Sequence, residues 1–345
     1  MQNRPPSTTP DSYRDPPSVV IGCSGSTGSS LLKTILNRHS QIFAGPEAAL
    51  FAFPKVYTNW DNCKNQLLDG IKTDAWQLRK GMSLVQPTFG WEQSDLQLLI
   101  QQSPNFQSFV ESFFTKPLKK NQKKIWVAKT PANAIGLAPF LQHFPEGKAV
   151  QTVRNPYDTI TSLMARGINA YYATAYYVYN TAVATSNLGN ERYYHLKYED
   201  LVAHPEATLI DLFQFLKLPF EPQIIVPQHE KRTEPTAMPG WKNEETAAVK
   251  TSSINRFQEI APTQQALIKA AFTSFRISKN YQKKQLIRFA SGEELCAVLG
   301  YNFHAIDATE YQWALKKYYW KDRLGRLKRG FPRQFFEYLG ELRFI

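Results

Sequence analysis

Short apolar runs that stop at a small or charged residue alternate with stretches whose apolar positions recur every three or four residues. The first run, Val19-Val20-Ile21, ends at Gly22; a turn of small residues follows from Cys23 to Ser30. Leu31, Leu32, Ile35 and Leu36 then repeat at helical spacing, so the order strand, glycine-rich turn, helix is predicted. Ile125-Trp126-Val127-Ala128 ends in Lys129-Thr130-Pro131, and Ala149 to Val153 ends in Arg154-Asn155-Pro156. A further run from Tyr193 to Tyr198 precedes Glu199-Asp200-Leu201 and a helix through Leu209 to Leu216. Strands alternating with helices imply an α/β fold, a parallel sheet with crossover helices. Such sheets collect their ligands at the carboxyl ends of strands. Gly22, Lys129, Arg154 and Tyr198 all fall at or near predicted strand ends, which places them around one cleft.

Between the first strand and the run at Ile125, residues 51–124 read as mostly helical and polar. Trp60, Trp76 and Trp91 there are expected in core packing. Residues 169–190 are rich in tyrosine (Tyr171, Tyr172, Tyr176, Tyr177, Tyr179) and read as a buried helix. Residues 219–241 are punctuated by proline and read as loop, while 261–275 and 291–299 read as closing helices. No internal repeat is present.

Composition narrows the class. A chain of 345 residues with 43% hydrophobic and 13% aromatic content buries a sizeable core. The division expected is a flexible Pro/Ser/Thr-rich leader at 1–17, a main domain at 18–302 and a basic, aromatic, helical extension at 303–345. The leader has no apolar core of the kind a signal peptide needs. No run reaches the roughly 18 apolar residues of a membrane span. Cys23, Cys63 and Cys296 lie far apart in no metal-binding or disulfide pattern, which suits a reducing, cytoplasmic location. Most of the net charge of +12 comes from one segment, where eight basic residues between Lys316 and Arg333 face Asp322 alone. The global charge is therefore weak support for nucleic acid, and no zinc finger or aromatic RNA-binding signature is present.

The turn after the first strand carries the candidate chemistry. The first N–H groups of a helix lack intrahelical partners, and the helix dipole favours negative charge there. Gly28 lets the backbone close on a phosphate, and Ser26, Thr27, Ser29 and Ser30 add hydroxyls. The turn is not G-x-x-x-x-G-K-[ST], because Ser29 follows Gly28 and Lys33 comes too late. Nor is it G-x-G-x-x-G, since Gly22, Gly25 and Gly28 are spaced by three throughout. A P-loop-like phosphate-binding loop without its lysine is the reading.

Taken in order, these segments resemble the sulfotransferases that use 3′-phosphoadenosine 5′-phosphosulfate (PAPS), over about Val19 to Tyr301. The spacing is similar to that of the tyrosylprotein sulfotransferases and their bacterial relatives. Gly28-Ser29-Ser30-Leu31-Leu32 resembles the family's 5′-phosphosulfate motif. Arg154-Asn155-Pro156-Tyr157-Asp158 through Ser162 resembles its 3′-phosphate motif, usually R-D-P-x-D with a later serine. Lys129 to Asn133 and Tyr198 to Pro205 match further elements. The resemblance implies a three-layer parallel sheet of the nucleoside triphosphate hydrolase-like type.

It also implies roles. Arg154, Ser162 and Arg166 would hold the 3′-phosphate, with Arg166 one turn further along the same helix face. Tyr198 would lie near the bound phosphate, Ser252 or Ser253 near the transferring group, and Lys129 would stabilise its charge. Glu47 would be the general base. From the residues alone His39 and His195 are alternative bases, although histidines in such places are more often packing or capping residues. The implied reaction moves a sulfuryl group to an acceptor hydroxyl or amine with no metal. The acceptor stays open among a lipid, polyketide, sugar or peptide tyrosine. Many family members have Lys or Arg where this loop has Ser26, so Lys129, Lys33 or Lys250 must compensate, or transfer is slow. Two rivals stand beside this reading. One is a nucleotide-dependent kinase; the other is a catalytically lapsed nucleotide-binding or membrane-surface protein whose basic aromatic tail at 316–336 makes the contact.

Overall fold

The computed structural model describes residues 18–65, 89–226 and 253–329. The leader, Trp76, Lys250, Ser252 and the last part of the extension lie outside the described residues. Five parallel strands form one sheet in the order β2-β3-β1-β4-β5, with β1 Val19–Ile21, β2 Ile42–Ala44, β3 Ile125–Lys129, β4 Lys148–Val153 and β5 Tyr193–Lys197. The three-residue β2 is absent from the periodicity reading: Ile42-Phe43-Ala44 is too short to show alternation, and pairing with Ile125 to Val127 makes it a strand. Tyr198 also departs from expectation, since it opens a helix rather than ending β5.

Alternation across the pleat sorts the strand side chains into two cores. Val19, Ile21, Ile42, Val127 and Val150 face α1 (Ser29–Asn37) and the helix Pro205–Leu216. Val20, Phe43, Trp126 and Ala149 face the aromatic helix α2 (Phe106–Lys120). The result is three layers, with the sheet covered on both faces as a parallel sheet requires. Phe114 stacks on Trp126 at 4.3 Å, while Trp60 and Trp91 donate their indole N–H groups to the carbonyls of Ser103 and Phe113. Those two tryptophans are packing residues, as their surroundings in sequence suggest.

A third core lies beyond β4. There α3 (Pro156–Met164) and the tyrosine-rich α4 (Ala170–Thr185) pack on α5 (Pro262–Ser274) and α6 (Gly292–Leu299). The extension continues this core. Phe303 packs beside Phe272, the His304 N–H donates to the Tyr157 hydroxyl at 2.7 Å, and α7 (Gln312–Arg329) buries Leu315 against Ala270 and Ala271. No helix among the described residues is long and apolar enough to cross a membrane.

Candidate active site

The sheet reverses its strand order beside β1, and the crevice there lies between the ends of β3 and β4. The loop after β1 fills it. The Gly22 N–H donates to Val150 and the Cys23 N–H to Pro131, so both neighbouring strands hold the loop. A Cβ on Gly22 would stand 2.3 Å from the Ala134 nitrogen, which is why glycine is needed there. Gly28 is the N-cap of α1 with φ of 87°, and a Cβ on it would meet the Tyr198 ring at 2.3 Å. Tyr176 lies over the other limb of the loop, its ring 3.3 Å from the same position on Gly25. Two tyrosine rings thus flank the loop.

The hydroxyls of the loop divide between scaffold and site. Thr27 donates to the Ser24 carbonyl at 2.8 Å and meets the Thr152 hydroxyl at 2.8 Å. Its hydroxyl serves the fold, and only its backbone faces the anion site. Ser26 has φ of 69°, unusual without glycine, and its carbonyl accepts from Arg154 Nη1 at 3.0 Å. Ser29 is buried and Ser30 half-buried at the opening of α1. Two polar atoms are buried here with no hydrogen-bond partner among the described residues, Ser26 Oγ and Arg154 Nε.

Arg154 leaves the end of β4 and is only 3% exposed. Its guanidinium also donates to the Ser253 carbonyl, approaches Asp158 at 3.9 Å and lies 5.2 Å over the Tyr198 ring. Burial pulls this guanidinium below its ordinary value; Arg256 adds to the fall, whereas Asp158, Tyr198 and Glu199 oppose it. The turn that presents it is fixed locally. Asn155 caps α3 by accepting from the Tyr157 and Asp158 N–H groups, and its own N–H donates to Glu199 at 2.8 Å. The buried Asp158 carboxylate accepts from the N–H groups of Asn255 and Phe257, both at 2.9 Å, which brings the segment from Ser253 to Glu259 to the site. Arg256 on that segment reaches the Ser162 hydroxyl at 3.4 Å. Ser253 enters through its carbonyl; Ser252 lies outside the described residues.

Arg166 corrects one expectation. It is not a further turn of the same helix face, because α3 ends at Met164. Gly167, with φ of 83°, terminates the helix as a left-handed glycine does. The half-buried Arg166 nevertheless stays at the site. Burial lowers its pKa; the neighbouring Tyr176 raises it, Arg256 and Arg154 lower it, and Glu47 raises it. Arg154, Arg166 and Arg256, from three segments, thus lie within electrostatic reach of one another.

Across β1, Lys129 ends β3 and is 1% exposed. Its ammonium donates to Ser30 Oγ at 3.0 Å and to the Glu47 carboxylate. Glu47 stands on the loop after β2. That loop is pinned before it by the Ala44 N–H on Asn37 Oδ1 at 2.9 Å, and after it by the Ala49 N–H on Thr130 Oγ1 at 3.1 Å. Asn133 ties β1 to β3 through the carbonyls of Ile21 and Ala128. Tyr176 belongs to the same neighbourhood. Burial raises its pKa, as do Cys23 and Glu47, so the phenol stays protonated beside the loop.

His39 is not an alternative base. It is fully buried, stacked 4.9 Å from Phe213, with Nε2 on the Pro219 carbonyl and Nδ1 accepting from the Gln41 N–H. His195 stands on the edge strand β5, paired with Gln151, where burial and Lys197 lower its pKa. Sequence reasoning gave no role of their own to Thr130, Asp158, Tyr176, Glu199 and Arg256. Asp158 was visible in the motif Arg154 to Asp158, but its partners lie about a hundred positions away.

A strand-order reversal, a helix N-terminus and buried cations at strand ends together make an arrangement suited to an anion in an α/β fold. The chain belongs to the sulfotransferase family, whose profile matches residues 17–222. Among solved structures, it resembles the sulfotransferase domain of the Synechococcus PCC 7002 olefin synthase. The TM-score is 0.56 and the identity 17%, covering 86% of this chain and 98% of that domain. It also matches the sulfotransferase domain from the curacin biosynthetic pathway, with a TM-score of 0.49, 19% identity, and 84% and 99% coverage. A search of curated proteins gives no match.

Proposed function

We propose that this sulfotransferase takes PAPS as donor and moves its sulfuryl group to the hydroxyl or amine of a small-molecule or peptide acceptor in the cytoplasm, releasing adenosine 3′,5′-bisphosphate. The observation that carries this reading is the Lys129 ammonium, bonded at once to Ser30 of the loop and to the Glu47 carboxylate. It puts a base and a charge-stabilising cation against the helix N-terminus.

The residues present fit such a donor. Arg154, Arg166 and Arg256 supply more positive charge than Asp158 balances, and Ser26 Oγ and Arg154 Nε are buried polar atoms awaiting partners. The guanidinium fork of Arg154 with the Ser162 hydroxyl suits the 3′-phosphate. The N-terminus of α1, with Ser29 and Ser30, suits the 5′-phosphosulfate. The donor supplies an activated sulfuryl group; the chain supplies position and charge. Glu47 accepts the acceptor's proton as the new S–O bond forms. Lys129, released from Glu47 as that carboxylate is protonated, would stabilise the charge that the breaking S–O bond leaves on the bridging oxygen of the departing 5′-phosphate. This assigns to Lys129 the compensation that Ser26 cannot provide.

The test is a thermal-shift titration of wild type and Arg154→Ala with adenosine 3′,5′-bisphosphate beside ATP plus magnesium. A ligand that binds only the folded state stabilises it by about 2.7 kcal/mol at a hundredfold excess over Kd. Stabilisation by the bisphosphate alone, lost in the variant, is the expected result. A shift with ATP and none with the bisphosphate would overturn the proposal.

A further inference from the structure

The two faces of α7 have opposite characters. The inner face carries Leu315, 1% exposed, and Tyr319, whose ring meets Tyr171 edge-on at 5.6 Å. These contacts fasten the helix to α4 and α5. The outer face carries Trp313, Lys316, Lys317 and Trp320, spaced three, four and seven apart, hence on one side of a helix. Trp313 is 72% exposed and Trp320 is 56% exposed, and Lys316, Lys317 and Lys321 beside them are exposed too. The Lys317 ammonium stands 5.1 Å over the Trp313 ring. In sequence the helix holds seven basic residues and one acid, Asp322.

We propose that this face docks the protein on an anionic lipid surface. An indole has an apolar body and a polar N–H, which favours the boundary between headgroups and acyl chains. Lysines between and beside the two indoles supply the attraction to anionic headgroups. Trp313 and Trp320 are the large exposed apolar groups described on this face, and each stands among lysines. A protein partner would need matching concave pockets, whereas a lipid surface deforms around each ring. A second copy of the chain would present the same cations, and like charges facing each other oppose such pairing. Leu315 and Tyr319 hold the first turns of the helix on its own domain, so both rings project from the outer face.

The test is sedimentation of the full chain with vesicles of phosphatidylcholine alone or mixed with phosphatidylglycerol, at low and high salt. Binding to the mixed vesicles, lost in salt and absent with phosphatidylcholine alone, is expected. Lys316→Gln with Lys317→Gln and Lys321→Gln should weaken partitioning about a hundredfold, since each basic residue near such a surface contributes about 1 kcal/mol. Trp313→Ala with Trp320→Ala should also weaken it, with an unchanged melting temperature because Leu315 and Tyr319 keep the helix in place. No binding to anionic vesicles, or binding undiminished in both variants, would overturn the proposal. So would light scattering that shows a dimer dispersed by the tryptophan variant.

Discussion

At the end of β4, Arg154 is locked among the carbonyls of Ser26 and Ser253, the Asp158 carboxylate and the Tyr198 ring. At the end of β3, Lys129 shares one ammonium between Ser30 and Glu47, and the Glu47 side chain is 33% exposed. Both cations are buried at the ends of strands that flank β1, yet one is a planar fork and the other a compact point charge. Under the proposed function, the contrast separates recognition from chemistry. A binding group gains from being held before the ligand arrives, because less order is lost on association. A base and its neighbouring cation must exchange a proton and redistribute charge during the reaction, so a rigid, fully paired arrangement would hinder them.

Breaking the β3 side should give the largest effect. Glu47→Gln is expected to lower turnover by about 10² to 10⁴, the usual range for a general base, with bisphosphate affinity nearly unchanged. Steady-state kinetics beside a binding titration checks this; equal losses in both would erase the division of labour. On the β4 side, Arg154→Ala should weaken the bisphosphate by about thirtyfold to a hundredfold, from a charge-assisted bond of about 2–3 kcal/mol. Turnover at saturating donor should change far less. A turnover defect as deep as that of Glu47→Gln would make Arg154 part of the chemistry.

Gly28→Ala probes the wall both sides share. The new methyl would meet Tyr198 in a left-handed backbone, so a cost of about 1–3 kcal/mol in thermal unfolding is expected. Retention of full stability would mean that Tyr198 moves aside without penalty. The smallest effect concerns the opposite end of β4. There Lys148 is buried with its ammonium on the Phe215 carbonyl, and burial, reinforced by Lys217 and opposed by Glu146, lowers its pKa to about 8. Its ordinary value is 10.5. Between about pH 8 and 10.5 the unfolded chain binds a proton there that the folded chain does not, so this group makes stability rise with pH. Lys148→Met should flatten that rise in denaturant titrations, and an unchanged slope would place the effect elsewhere.

How much was legible follows the range of each interaction. The loop from Gly22 to Ser30 and the strand ends at Lys129 and Arg154 were readable because strand, turn and helix signals are local. Glu47 was placed only through its spacing in a family pattern. Nothing in Gly45-Pro46-Glu47 signals that Ala44 and Ala49 will be pinned by Asn37 and Thr130. The strand at Ile42 was missed because three residues carry no period. Arg166 was misassigned to a helix face because the helix stops at Met164 and Gly167, three residues on, takes the left-handed conformation, a signal present in the sequence and overlooked.

The sequence by itself determined four of the five strands and the helices between them, the glycine-rich loop, the cations at two strand ends and the basic helix of the extension. Each depends on neighbours within a few residues, where backbone propensity and hydrophobic period decide. Only the tertiary structure decided that Lys129 meets Glu47, that Asp158 draws Arg256 to Ser162, and that His39 is packed away from the site. It also decided which face of α7 turns outward, since Tyr171, Ala270 and Ala271 claim the other. Those choices belong to contacts between residues far apart in the chain. They form because burying polar and charged groups requires partners, and the packed sheet determines which are within reach.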